Sequence, residues 1–107
     1  MTETIAFGGT TVEIETNEYN LIRVKFNGIA TRWRYNPGEP FDMVLQDLIA
    51  MRAFDPIQDE NGRLDAVNKI RVAWQKENAK ALGATVPKNK QRDHSQMAAA
   101  WLEKHGY

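Results

Sequence analysis

Four basic side chains in one short stretch of this chain could together bind an anion. They are Arg23, Lys25, Arg32 and Arg34, and no acidic residue lies between Asn20 and Asn36. A guanidinium group presents a planar fork of donors that suits carboxylates and phosphates, whereas a lysine acts as a point charge. We therefore predict that these four cations form a partner-binding surface, the basic hairpin face.

The same stretch is expected to fold as a β-hairpin. Its Asn27-Gly28 pair predicts a two-residue type I′ turn, because both residues tolerate positive φ. The predicted cross-strand pairs are Phe26–Ile29, Val24–Thr31 and Ile22–Trp33. Since side chains alternate between the two sides of a strand, these pairs form one apolar face and the four cations occupy the other.

Two acidic residues could neutralise part of that basic face. Glu13 and Glu15 lie on the outward side of the preceding strand and could pair across strands with the cations, each pair contributing about 0.2–1 kcal/mol. Two glutamates cannot neutralise four cations, and the predicted register places Arg23 opposite Arg32. A solvated sheet face with no partner therefore remains the alternative to a binding surface.

A second basic region lies in the C-terminal half. Lys69, Lys76 and Lys80 form a stripe at helical spacing, and Lys88, Lys90 and Arg92 lie in the loop that follows. Two helices joined by a basic loop could indicate a helix-turn-helix. However, the connection from Gly83 to Arg92 is about ten residues long, where that motif uses three or four. A solvated helix face is the alternative reading of this second basic surface.

The remaining polar groups predict no catalysis. His94 and His105, on one helix, would stand about 16 Å apart and could not share a metal ion. Ser95 has no orienting third group at a readable spacing, so a hydrolytic triad is not predicted. The acidic loop at 55–65 lacks the calcium-ligand spacing of an EF-hand. We predict no catalytic residue, no metal and no cofactor, and hence not an enzyme.

The Pro-Gly-rich segment 36–40 separates the predicted strands, which precede it, from the predicted helices, which follow it. Before it, two alternating segments flank Gly8-Gly9 and predict a first hairpin, whose inward side chains are Ile5, Phe7, Val12 and Ile14. After it, the apolar period changes from two to about 3.6. This predicts one α+β domain over 1–107, with a sheet part at 1–36 and a helical part at 39–105.

Three helices are expected in the helical part, packed on one face of a small antiparallel sheet made by the two hairpins. The apolar residues of the first helix are Phe41, Val44, Leu45, Leu48 and Ile49, with Arg52 in line with them. A longer helix is predicted near Leu64–Leu82, with Val67, Ile70, Trp74 and Ala81 inward and Gly83 as its C-terminal cap. Asp93 with Gln96 resembles a capping box that opens the last helix, through about Lys104.

The three tryptophans fall one per element, and core positions are expected for Trp33 and Trp74. For Trp101, a core position is one of two readings. With Met97, Ala98 and Leu102 it could instead form an apolar contact with a partner or with a second copy of the chain, as a homodimer.

Composition limits the class of protein. The chain has 107 residues, 42% hydrophobic residues, no cysteine and a formal net charge of zero. No apolar run approaches the roughly 18 residues of a membrane span, and the N-terminus lacks the basic and apolar regions of a signal peptide, so we expect a soluble cytoplasmic protein with no membrane partner. Zero net charge removes the overall basic field that favours nonspecific nucleic-acid binding.

The charges alternate in blocks along the chain. Residues 1–19 hold four acids and no bases, 20–36 four bases and no acids, 37–65 seven acids and two bases, and 66–107 three acids and eight bases. Opposite patches of this kind steer and orient protein docking. We predict a small non-enzymatic interaction protein that modulates or inhibits a protein with an acidic surface, a profile associated with small accessory proteins of bacteriophages. The alternative is a nucleic-acid-binding module that uses the basic hairpin face and the 88–92 loop.

Overall fold

The computed structural model describes residues 2–7, 9–32, 34–83 and 95–104, and within them four strands precede three helices. The strands are β1 (Thr2–Phe7), β2 (Thr10–Thr16), β3 (Ile22–Phe26) and β4 (Ile29–Ala30), and the helices are α1 (Phe41–Ala50), α2 (Glu60–Ala81) and α3 (Ser95–Lys104). The strands form one antiparallel sheet in the order β1-β2-β3-β4. The predicted α+β class is confirmed.

The sheet has an apolar face and a polar face, because side chains alternate along each strand. The buried apolar side chains of the three longer strands are Ile5, Val12, Ile14, Ile22 and Val24. Phe7 is partly buried and stacks on the buried Phe54, with ring centroids 5.9 Å apart. The predicted inward side of the first hairpin is therefore confirmed. Glu13, Glu15, Arg23 and Lys25 alternate with these core residues and lie on the opposite face.

The turn of the second hairpin is the one predicted. Asn27 and Gly28 have φ values of 49° and 83°, and Phe26 pairs with Ile29. The Asn27 side chain also links this hairpin to the first, because its Oδ1 accepts a hydrogen bond from the Thr11 amide at 2.8 Å. The predicted inward position of Ile29 is wrong. This side chain is 63% exposed, since it lies at the hairpin tip and β4 ends one residue later.

The return chain of the second hairpin leaves the predicted register. Thr31 donates to the Val24 carbonyl at 2.9 Å, as expected, but Ile22 pairs with Tyr35, at 3.0 and 2.7 Å, and not with Trp33. Between these two bonded positions, the return chain therefore has two more residues than β3. This insertion is a β-bulge, and bulges redirect side chains relative to a regular ladder. Trp33 itself lies outside the described residues.

Helix α1 buries the predicted face, with Phe41, Val44, Leu45 and Leu48 in the core. It ends earlier than the apolar spacing suggested, so Arg52 is exposed and lies beyond the helix. Arg52 has a φ of 60°, and its amide donates to the Ile49 carbonyl at 2.9 Å while that of Ala53 donates to Leu48 at 3.0 Å. These two bonds form a Schellman motif, in which the left-handed position is usually glycine.

Helix α2 begins four residues before the predicted start at Leu64. Asp59 is its N-cap, because the carboxylate accepts from the Gly62 amide at 3.0 Å and satisfies a donor of the first turn. The predicted inward residues Val67, Ile70, Trp74 and Ala81 are all buried. Gly83 follows the helix with a φ of 70°, as expected for the cap.

Helix α2 is the central helix of the described structure, since it contacts β1, β2 and β3 and also α1 and α3. Leu102 of α3 is 3% exposed, and Lys104 approaches Asp42 of α1 at 3.4 Å. Asp93, the predicted capping residue of α3, lies outside the described residues. Within the described part of the chain, no helix combines the length and the apolar character needed to cross a membrane.

Candidate interaction site

The structure divides the four predicted cations into two groups. Arg32 turns toward α1, where its Nε donates to Asp47 Oδ2 at 2.8 Å. Its guanidinium carbon also lies 4.8 Å from the centre of the Tyr35 ring. The hydrogen bond to Asp47 raises the pKa of Arg32 above its ordinary value. Arg32 therefore holds the bulge against α1.

Asp47 is the centre of that contact. The Tyr35 hydroxyl donates to Asp47 Oδ2 at 2.6 Å, and Thr31 Oγ1 lies 2.7 Å from the same hydroxyl. Tyr35 is fully buried and makes an edge contact with Trp74, with ring centroids 5.5 Å apart. These bonds join the hairpin to α1, because one carboxylate receives donors from both ends of the bulge.

The predicted position of Arg32 opposite Arg23 is wrong. The Ile22–Tyr35 bridge places Arg34, and not Arg32, alongside Arg23. The reason is the bulge, since the predicted register assumed a regular ladder from the turn onward. The two arginines that the structure brings together are thus separated by ten residues of sequence and by a turn.

Arg23 and Arg34 are exposed and line one surface cleft of about 310 Å³. Its other lining residues are Glu15, Asn17, Leu21 and Ile22. Among the described residues, neither arginine has an ion-pair partner within 4.0 Å. We call this site the arginine cleft.

Lys25 is partly neutralised, as the two-glutamate alternative predicted. Glu13 faces Lys25 and Glu15 faces Arg23 in the register of β2 and β3. The ion pair that forms is diagonal, between Lys25 Nζ and Glu15 Oε1 at 3.8 Å. Exposed pairs at this separation contribute little stability.

One wall of the arginine cleft is a tightly bonded loop, residues 17–21. Asn17 Oδ1 accepts from the amides of Tyr19 at 2.9 Å and Leu21 at 3.0 Å, and Asn20 has a φ of 59°. This loop presents Tyr19, whose side chain is 75% exposed and which was not among the predicted site residues. The signal available in the sequence was its position directly before the basic stretch 20–36.

Of the three lysines of the second basic surface that the structure describes, two form ion pairs within α2. Lys69 lies 3.0 Å from Asp65, and Lys80 donates to Glu77 at 2.9 Å. Glu77 has no exposed surface and was also missed, because its type suggested a solvated position. Lys76 is exposed. Lys88, Lys90 and Arg92 lie outside the described residues, as do His94, His105 and the side chain of Trp101.

The described residues contain no group of three or more histidine, aspartate or glutamate side chains that could hold a metal ion. Comparisons with protein families, with curated proteins and with solved structures find no match for this chain.

Proposed function

We propose that this protein is a non-enzymatic interaction protein that binds another protein through an acidic surface of that partner and modulates or inhibits it. The supporting observation is the pair of exposed arginines, Arg23 and Arg34, which lack ion-pair partners among the described residues. Two like charges side by side are unfavourable unless an anion binds between them. Arginine is also enriched among the residues that dominate binding energy in interfaces.

A protein partner is favoured over a nucleic acid by the acidic residues near this pair. Glu15 lines the arginine cleft, and Glu13 is on the same face of the sheet. Duplex DNA carries one negative charge per about 1.7 Å of axis, so its phosphates would also approach these carboxylates. A single acidic side chain of a protein can reach the arginines and avoid the glutamates.

We also propose an arrangement of the helices and a location for the protein. All three helices cover the apolar face of the sheet and leave the polar face open; the contacts of α2 with three strands and with both other helices support this arrangement. The protein acts in the cytoplasm, as the lack of cysteine suggests.

The deciding experiment is capture of the partner from native cell extract, followed by mass spectrometry. We expect the double variant Arg23→Gln/Arg34→Gln to lose the partner that the wild type captures. The matched control is Arg52→Gln/Lys76→Gln, which removes two exposed positive charges elsewhere and should retain it. Equal capture by the two double variants would place the binding site outside the arginine cleft.

The nucleic-acid alternative has its own test. A labelled duplex and a labelled single strand are titrated with the protein at about 50 mM salt, and binding through phosphates would weaken on duplex DNA with a log–log salt slope near −0.9 per phosphate neutralised. We expect neither to bind. Saturable binding that has such a slope and is lost in Arg23→Gln/Arg34→Gln would identify the partner as a nucleic acid and not a protein.

A further inference from the structure

The bulge determines which cations share the arginine cleft. In a regular ladder, each residue of the return chain would have one cross-strand partner on β3, and the partner of Arg32 would be Arg23. Instead, Thr31 bonds to Val24 and Tyr35 bonds to Ile22, so the inserted residues redirect the side chains between them. Arg32 turns to Asp47 of α1, and Arg34 turns to the cleft that Arg23 also lines.

The lining of the arginine cleft suits one kind of anion. Two guanidinium groups offer paired N–H donors for a planar carboxylate, and Asn17 and Leu21 form the adjacent loop wall. Glu15, on the same wall as Arg23, adds a negative charge that opposes anions with many closely spaced charges. The exposed Tyr19 belongs to the same bonded loop, three residues before the start of β3.

We propose that the arginine cleft binds the carboxylate of an aspartate or glutamate side chain in an acidic segment of the partner protein. This inference rests on the proposed function and names the group recognised. Arg34 and Arg23 hold the carboxylate oxygens, and the loop at 17–21 contacts the neighbouring residues of the segment. The loop and the bulge are both fixed by internal hydrogen bonds, so little ordering is needed when the segment binds.

The experiment is a titration of the ¹⁵N-labelled full chain with a blocked peptide of alternating glutamate and alanine, followed by NMR. We expect shift changes confined to the Nε–H signals of Arg23 and Arg34 and to the amides of residues 17–21. A peptide with glutamine in place of glutamate should cause none. Arg34→Gln should weaken binding about tenfold, the expected loss of a hydrogen bond to a charged group.

Two variants separate recognition of a carboxylate from simple charge attraction. Arg34→Lys keeps the charge but loses the two-donor fork, so it should also bind the glutamate peptide more weakly than the wild type. Lys76→Gln is the control and should bind as the wild type does. Equal binding by Arg34→Lys and wild type, or shifts spread evenly over all basic residues, would overturn the inference. So would stronger shifts of the same cleft signals by an oligothymidylate.

The peptide experiment can fail without the proposed function failing. If the peptide does not bind but partner capture still depends on Arg23 and Arg34, the carboxylate inference is wrong and the interaction function stands. If capture is also unchanged in the double arginine variant, both are wrong.

Discussion

At the scale of single residues, Tyr35 and Asp47 determine how the basic hairpin face is built. Tyr35 is fully buried, and its hydroxyl donates to Asp47 at 2.6 Å. Burial, followed by the hydrogen bond to Asp47, raises the pKa of Tyr35 well above its ordinary value of about 10. The folded state therefore favours the protonated form of the Tyr35 phenol.

This pKa shift predicts a loss of stability in base. Above about pH 10 the unfolded chain loses the Tyr35 proton while the folded chain keeps it, so the free energy of unfolding falls as pH rises. Below that pH both states are protonated and the contribution is constant. Absorbance at 295 nm during a pH titration should show one of the three tyrosines ionising only as the protein unfolds.

The control for this titration is Tyr35→Phe. It should lack the delayed component, which is the tyrosine ionisation that occurs only on unfolding, and its free energy of unfolding should fall less steeply above pH 10. Tyr19→Phe should keep the delayed component, because it leaves the hydrogen bond between Tyr35 and Asp47 intact. A delayed component that persists in Tyr35→Phe would assign the shift to another residue.

At the scale of elements, the C-terminal ends of α1 and α2 differ in the residue type at the left-handed position. After α1 the left-handed position is Arg52, and after α2 it is Gly83, with φ values of 60° and 70°. The left-handed conformation costs a residue with a Cβ roughly 1–2 kcal/mol, part of which glycine avoids. The end of α1 is therefore strained where that of α2 is not.

We expect Arg52→Gly to raise the free energy of unfolding by about 0.5–1 kcal/mol in urea titrations. Gly83→Ala is the converse control and should lower it by about 1 kcal/mol, purely through the backbone, since a Cβ there meets no atom within 4 Å. A destabilised Arg52→Gly would mean that the arginine side chain contributes more than its backbone position costs.

The elements also explain which parts of the fold the sequence could predict. The Asn27-Gly28 turn, the inward residues of β2 and the buried stripe of α2 follow from local residue types and spacing. The bulge could not be predicted, because the carboxylate that bonds to Tyr35 is on α1, lies 12 residues further along the chain and reaches the tyrosine only after folding. The pairing of Arg23 with Arg34 depends on that bulge and was missed with it.

At the scale of the whole molecule, the alternating blocks of charge become surfaces. The sheet's polar face carries both glutamates of β2 and cations of β3, so the local field near the arginine cleft is weaker than its residue count suggests. Fields of this kind affect the rate of association more than the strength of the final complex.

We expect the association rate with the captured partner to fall about tenfold or more when ionic strength rises from about 0.01 to 0.15 M, as the Debye length shortens from about 30 to 8 Å. The dissociation rate should change less. Stopped-flow mixing at several salt concentrations measures both, and Arg23→Gln/Arg34→Gln should show a shallower dependence. An association rate independent of salt would exclude steering by charge.

The contact between Asp47 and the bulge has a consequence for mapping the interface by mutation. Asp47 is on a helix, and among the described residues its carboxylate bonds to Tyr35 and Arg32, which flank the part of the chain that presents Arg34. On the proposed function, we therefore expect substitutions at Asp47 to reduce affinity without contacting the partner, and a genetic screen for lost binding to recover α1 as well as the sheet. An interface drawn from such a screen alone would be too large, whereas graded changes at Asp47 offer a way to adjust affinity and leave the contacting residues unaltered.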